Sequence, residues 1–171
     1  MSMRLALALP LLVLAAAAAS AEVTRDEDAG WCRAGRGPAI QVNVSGLKDR
    51  SGEVWLELYP DNEADFLRDD TALIAEGKVF RRTRTRPLPA GETTICVRVP
   101  HPGRYALLLR HNRNGKDKFS FWSDGVGFPG NQTIGRSRPK FAQAWIDAGA
   151  GVTVKTIQLQ YLHGLRGFAP S

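Results

Sequence analysis

PGRYALLLRHNRNGKDKFSFWSDGVGFPGN, residues 102–131, decides the architecture. Pro102-Gly103 is a turn pair, because proline presets φ and glycine accepts conformations other residues avoid. Tyr105, Leu107 and Leu109 then alternate with Ala106, Leu108 and Arg110. A strand with one solvated face alternates apolar and polar side chains, whereas this one stays apolar on both faces until Arg110. Residues 104–110 are therefore expected near the middle of a sheet. From His111 the composition turns to Asn, Asp, Gly and aromatics, so a rigid strand feeds a long irregular loop, the usual place for binding groups.

The flanking chain reads as more strands. Residues 39–44 alternate Ile40, Val42 and Val44 with Gln41 and Asn43, and residues 53–59 set Val54, Leu56 and Leu58 against Trp55, Glu57 and Tyr59. These two are expected to form a hairpin. Residues 60–77 are an acidic connection with one helical turn, pinned by Phe66. Residues 78–86 place Arg82, Arg84 and Arg86 on one face and Val79, Arg81, Thr83 and Thr85 on the other, as in an edge strand guarded by charge. In 91–99, Ile95, Val97 and Val99 share a face opposite Cys96. Residues 127–129 make a short strand, and Phe141, Trp145 and Ile146 one apolar cluster. In 152–162 the apolar parity switches between Val154 and Ile157, which reads as a bulge near Lys155-Thr156. Residues 163–171 read as a frayed tail. About seven short strands with little helical periodicity predict an all-β fold, a single antiparallel β-sandwich over residues 39–162.

Ahead of this lies Arg4, an apolar run over residues 5–19 broken only by Pro10, and the small-residue site Ala19-Ser20-Ala21. That is the layout of a signal peptide over 1–21, and it places the protein in the periplasm or outside the cell. No second long apolar segment follows, so the processed chain is not expected to be an integral membrane protein. Of 23 basic and 17 acidic side chains only Arg4 falls in 1–21, so the remainder carries a net charge of +5. That excess favours anionic surfaces. Residues 22–38 read as a polar arm. Cys32 and Cys96, the two cysteines of an exported chain, are expected to bridge and staple this arm to the body.

The three histidines, His101, His111 and His163, sit in no metal-ligand spacing, and no Gly-x-Ser-x-Gly elbow occurs. His111 opens the special loop as a ligand or base, or simply hydrogen-bonds its own loop. Phe119, Phe121, Trp122 and Phe128 either stack on a glycan or plug the loop onto the core. Arg81, Arg82, Arg84 and Arg86 could meet an anionic polymer or form a solvated edge paired with the acids of 61–70. An exported chain without a recognised motif is not expected to bind nucleic acid.

The runs Pro102-Gly103-Arg104-Tyr105-Ala106, His111-Asn112-Arg113-Asn114-Gly115, Gly125-Val126-Gly127-Phe128 and Pro139-Lys140-Phe141 occur in that order. In them the chain resembles an uncharacterised family of exported bacterial proteins, domain of unknown function two-one-four-one. The resemblance spans about Val42 to Leu162 and implies a β-sandwich of immunoglobulin or transthyretin type. It also implies a calcium loop, since alternating Asp and Asn present oxygen ligands. This chain departs from it: Asn112 and Ser120 stand where the family has Asp, Lys116 replaces an Asn, and Asp117 replaces a Gly. The leading expectation is a non-catalytic envelope protein that binds through the 111–131 loop, with His111, Asn112, Asn114, Asp117, Trp122 and Asp124 as ligand contacts and no cofactor. The alternatives are a calcium-dependent module, or a hydrolase using His111 with Asp117 or Asp124.

Overall fold

The structure, a computed structural model, describes residues 24–25 and 27–171; the signal peptide expected over 1–21 lies outside them. The strands are β1 (Thr24–Arg25), β2 (Ala39–Ser45), β3 (Glu53–Pro60), β4 (Arg81–Thr85), β5 (Thr93–Arg98), β6 (Gly103–Asn112), β7 (Gly125–Gly127), β8 (Trp145–Ala148), β9 (Val152–Gln158), β10 (Gln160–Leu162) and β11 (Phe168–Pro170). Two short helices join them, α1 (Glu27–Arg33) and α2 (Asp70–Ala75). The large sheet runs β1-β4-β3-β6-β7-β10-β11, with β8 also paired to β6; the small sheet is β5-β2-β9. Strand β6 sits mid-sheet as expected, with β3 on one side and β7 and β8 on the other.

The two sheets close over one core. Ile40, Val42 and Val44 face Val54, Leu56 and Leu58, and Tyr105, Leu107, Leu109, Ile157 and Leu159 complete it. Strands β2 and β3 are therefore not the expected hairpin. Each pairs elsewhere, β2 with β5 and β9, and β3 with β4 and β6. The second face of β2 carries Gln41 and Asn43 and suits a sheet open to water, whereas β3 has Trp55 and Tyr59 there, both buried, and needs a covered sheet.

The sandwich is not wholly antiparallel either, since β2–β9 and β1–β4 are parallel pairs. The expected bulge at Lys155-Thr156 is absent: β9 stays in register with β2 from Ala39↔Val152 to Ser45↔Gln158. Val152 and Val154 simply point away from the core, Val154 being 58% exposed. After Gln158 the chain crosses to the large sheet as β10. Glycine permits the join there, because a Cβ on Gly127 would come within 2.6 Å of the Gln158 carbonyl oxygen, and one on Gly125 within 2.5 Å of the Tyr161 ring.

A second apolar cluster lies on the outer face of the large sheet. Tyr59, Ala106, Leu108, Val126 and Phe128 are covered there by Phe66 and Leu73 from the acidic connection and by Phe168. The expected cluster of Phe141, Trp145 and Ile146 is split by strand alternation: Phe141 packs against Phe66, Ile146 enters the inter-sheet core, and Trp145 lies outside beneath Arg104. The tail is not frayed, because β11 pairs with β10 and buries Phe168. The arm contains α1, which packs on β5 and is fixed by the Cys32–Cys96 disulfide. Asp28 of α1 is buried and accepts from both the backbone N–H and the guanidinium of Arg98.

The bridge spans 64 residues of sequence, which in the chain-entropy account stabilises the fold by about 4 kcal/mol. Urea titration of the Cys32→Ser, Cys96→Ser double variant is expected to show a loss of that order. A reductant should reproduce the loss in the parent and leave the variant unchanged.

Candidate functional site

Strand β6 divides its chemistry between its two faces. Tyr105, Leu107, Leu109 and His111 face the inter-sheet core, while Ala106, Leu108, Arg110 and Asn112 face outward under the loops.

Arg110, unlike the exposed Arg104 on the same face, is buried. Its Nε and Nη2 donate to Asp124 Oδ2 at 3.1 and 2.8 Å. Nη1 donates to the Asp117 carbonyl at 2.6 Å, and Nη2 to the carbonyls of Lys116 and Lys118 at 2.9 Å each. The guanidinium lies 4.7 Å from the Trp55 ring centre and 5.6 Å from that of Phe119. A buried charge is tolerated only with a counter-charge and a full set of hydrogen bonds, and the loop after β6 supplies both. Asp124 is tied in turn by the Ser120 N–H and the Ser123 hydroxyl. Asn112 and Asn114 hold the loop's tip: Asn112 Oδ1 accepts from the Gly115 N–H, and Asn114 Oδ1 accepts from the Lys116 N–H.

The expected site residues are therefore not one constellation. Asn112, Asn114 and Asp124 are occupied inside the loop. Asp117 projects into solvent, 3.9 Å from Arg84. His111 is fully buried on the opposite face of the sheet. Its Nε2 is 2.7 Å from the Ser51 carbonyl, which can only accept, so this nitrogen carries the proton. Its Nδ1 then accepts from the Tyr161 hydroxyl at 2.7 Å, and that oxygen accepts from the Lys48 N–H. Burial lowers the His111 pKa and pushes the Tyr161 phenol up to about 12, so both rings stay neutral. His111, Asp117 and Asp124 do not converge, as a hydrolase would require. Among the described residues no group of three or more His, Cys, Asp or Glu side chains gathers around a common point. The arginines of β4 are largely engaged: Arg82 pairs with Glu57 and Asp70, and Arg84 stacks on Trp55 at 3.8 Å.

Of the six expected ligand contacts, Trp122 is the one that lines an open site. Beneath it, between the loop and the outer face of the large sheet, is a cavity of about 960 Å³. Leu108, Phe128, Ile134, Leu162 and Phe168 are among its apolar walls, and Phe119 and Phe121 join them from the loop. Phe119, Phe121 and Phe168 meet as a ring cluster with centroids 5.2–6.2 Å apart. Phe121, Trp122 and Leu165 line the cavity and are 63%, 88% and 87% exposed, so apolar surface stands open at the mouth.

A family model described as "uncharacterized protein conserved in bacteria" matches residues 42–156. The chain belongs to the DUF2141 family. No curated protein and no solved structure matches it. The matched region takes in β2 through most of β9, and so the loop and much of the cavity. Ile134, Arg136 and Arg138 line the cavity from within that region, Leu162, Leu165 and Phe168 from beyond it.

Those six residues were not among the expected contacts. One signal for them was present: Leu108 on a strand apolar on both faces requires something to cover its second face. The tail offered none, because a single Phe168 among Gly, Ala and Pro has no strand periodicity.

Replacing Arg110 with Leu strands Asp124, and a buried charge without its partner costs about 3–5 kcal/mol. Denaturant titration should show that loss for Arg110→Leu and about 0.5 kcal/mol or less for the exposed Asp117→Asn. His111 makes stability pH-dependent. Its folded pKa lies below the unfolded 6.5, so its contribution is complete above pH 6.5 and is lost as pH falls toward the folded value. The urea midpoint should drop between pH 7.5 and 5.5, and His111→Gln should flatten that drop.

Proposed function

We propose that the protein is an exported, non-catalytic binding module of the cell envelope whose ligand lies in the cavity beneath the 113–124 loop. The cavity itself carries this reading. Its volume of about 960 Å³ is at the upper end of ordinary small-ligand sites, which run to about 1,000 Å³. Its walls are apolar, and its mouth exposes two aromatics and a leucine that a purely structural loop would bury. The charged groups at its floor are already spent: Glu57 accepts from Tyr59 and Arg82, and Arg110 is bound to Asp124. A buried sugar would find few free partners there for its hydroxyls. The fitting ligand is thus largely hydrophobic, which sets it apart from a glycan.

The disulfide supports an oxidising compartment for this module. No helix of the described residues is long and apolar enough to cross a membrane. The immunoglobulin- or transthyretin-type likeness belongs to the same reading. Its support is the crossing of β2 and β3 into different sheets around one core.

The neutral dye N-phenyl-1-naphthylamine is expected to bind with a rise in fluorescence. Leu108→Trp, which fills the cavity floor, should abolish the rise while leaving a cooperative thermal transition. A parent protein that leaves the dye dark, or an L108W variant that still binds it, defeats the reading.

A further inference from the structure

We infer that the ligand of this cavity is an amphiphile with an anionic head, its alkyl tail inside and its head on Arg136 and Arg138; this rests on the cavity-binding reading above. Four charged side chains line the cavity: Glu57, Arg110, Arg136 and Arg138. Glu57 is held by Arg82 and Tyr59, and Arg110 by Asp124 and three carbonyls of its loop. Both therefore present a satisfied group to the interior. Arg136 and Arg138 differ. Both are exposed, and among the described residues neither guanidinium forms an ion pair or a hydrogen bond.

No acid stands near them in sequence to quench this charge. From Gly125 to Ser171 the chain has one carboxylate side chain, Asp147, against Arg136, Arg138, Lys140, Lys155 and Arg166. Asp147, on β8, is bound to Arg104 of β6 and does not line the cavity. An apolar cavity under two uncompensated guanidiniums favours an anionic head over a neutral or cationic one, and guanidinium matches carboxylate and phosphate oxygens with paired hydrogen bonds. The apolar walls and a volume of about 960 Å³ give an alkyl tail room inside.

The test is displacement of bound N-phenyl-1-naphthylamine by dodecanoate, dodecanol and dodecyltrimethylammonium, each below its micellar concentration and at fixed ionic strength. Dodecanoate is expected to displace the dye at about one tenth of the dodecanol concentration, the ratio a modest charge-assisted contact gives, with the cation weakest. The Arg136→Gln, Arg138→Gln variant, its displacement curves each scaled to its own dye affinity, should bring the three competitors together. Lys155→Gln, which lies on β9 away from the cavity, should keep the preference. If dodecanol matches dodecanoate on the parent, or the preference survives in the double variant, the anionic head is wrong while the apolar site stands. If the dye does not bind the parent at all, the cavity reading falls and this inference with it.

Discussion

One arginine must be buried on the outer face of the large sheet, and most of the site follows from that constraint. Arg110 leaves β6 among Leu108, Trp55 and Val126, where an unpaired cation would be intolerable. Water cannot satisfy it, so the chain does. Residues 116–118 turn their carbonyls toward it and Asp124 closes the circuit. The loop is thereby bent back over the sheet instead of extending into solvent. Once it is bent back, Phe119 and Phe121 become a wall, and the space between them, Leu108 and Phe168 becomes a cavity. The asparagines and aspartates are the fittings of this arrangement, and the opening they create is lined by other residues.

The inter-sheet face of the same strand has a different task. Leu107 and Leu109 fill the sandwich, and His111 caps it with both ring nitrogens committed. This separates the packed core from the cavity across the thickness of one sheet. A change at His111 acts on the fold, because it meets Tyr161 and Ser51 beneath the core, and a change at Leu108 acts on the cavity. Adjacent residues on a strand point to opposite faces, so a strand buried on both sides can serve two environments with no hinge between them.

How much of this was legible in the sequence follows from the range of each signal. Alternation in 105–110 has period two and is local, so β6, its central place and its double burial could be read directly. The same holds for β2, β3 and β5, and for the split of Ile95 and Val97 from Cys96. Pairing is not local. Nothing in residues 39–59 says that β2 and β3 enter different sheets, because both offer a compatible apolar face and a short loop joins them. Sheet choice was decided by the second face, polar in β2 and aromatic in β3. The parity change before Ile157 was visible, yet it has two causes, a bulge or a strand with apolar residues on its exposed side, and only the register with β2 separates them. At the site, the long polar loop is legible in the composition after His111, while the hydrogen bonds of Asn112, Asn114 and Asp124 are made inside it. Polar side chains in a long loop more often satisfy the loop's own backbone than a ligand. The apolar walls came from Leu108, Leu162 and Phe168, far apart in the chain.

The distribution of charge completes the physical picture. Acids are frequent up to Asp124, where they are used: Asp28 on Arg98, Glu57 and Asp70 on Arg82, Asp65 on Arg68 and Lys78, Asp49 on Arg113, Asp124 on Arg110. Beyond it they nearly vanish, while Arg136 and Arg138 remain over an apolar opening. Arg86, which is also exposed and without an ion pair, does not line this cavity. Arg136 and Arg138 have a hydrocarbon-lined space below them, so an anion that binds them can also bury a tail. A head or a tail alone would gain from only one of the two. In the proposed reading, selectivity for an amphiphile comes from where ordinary side chains are placed.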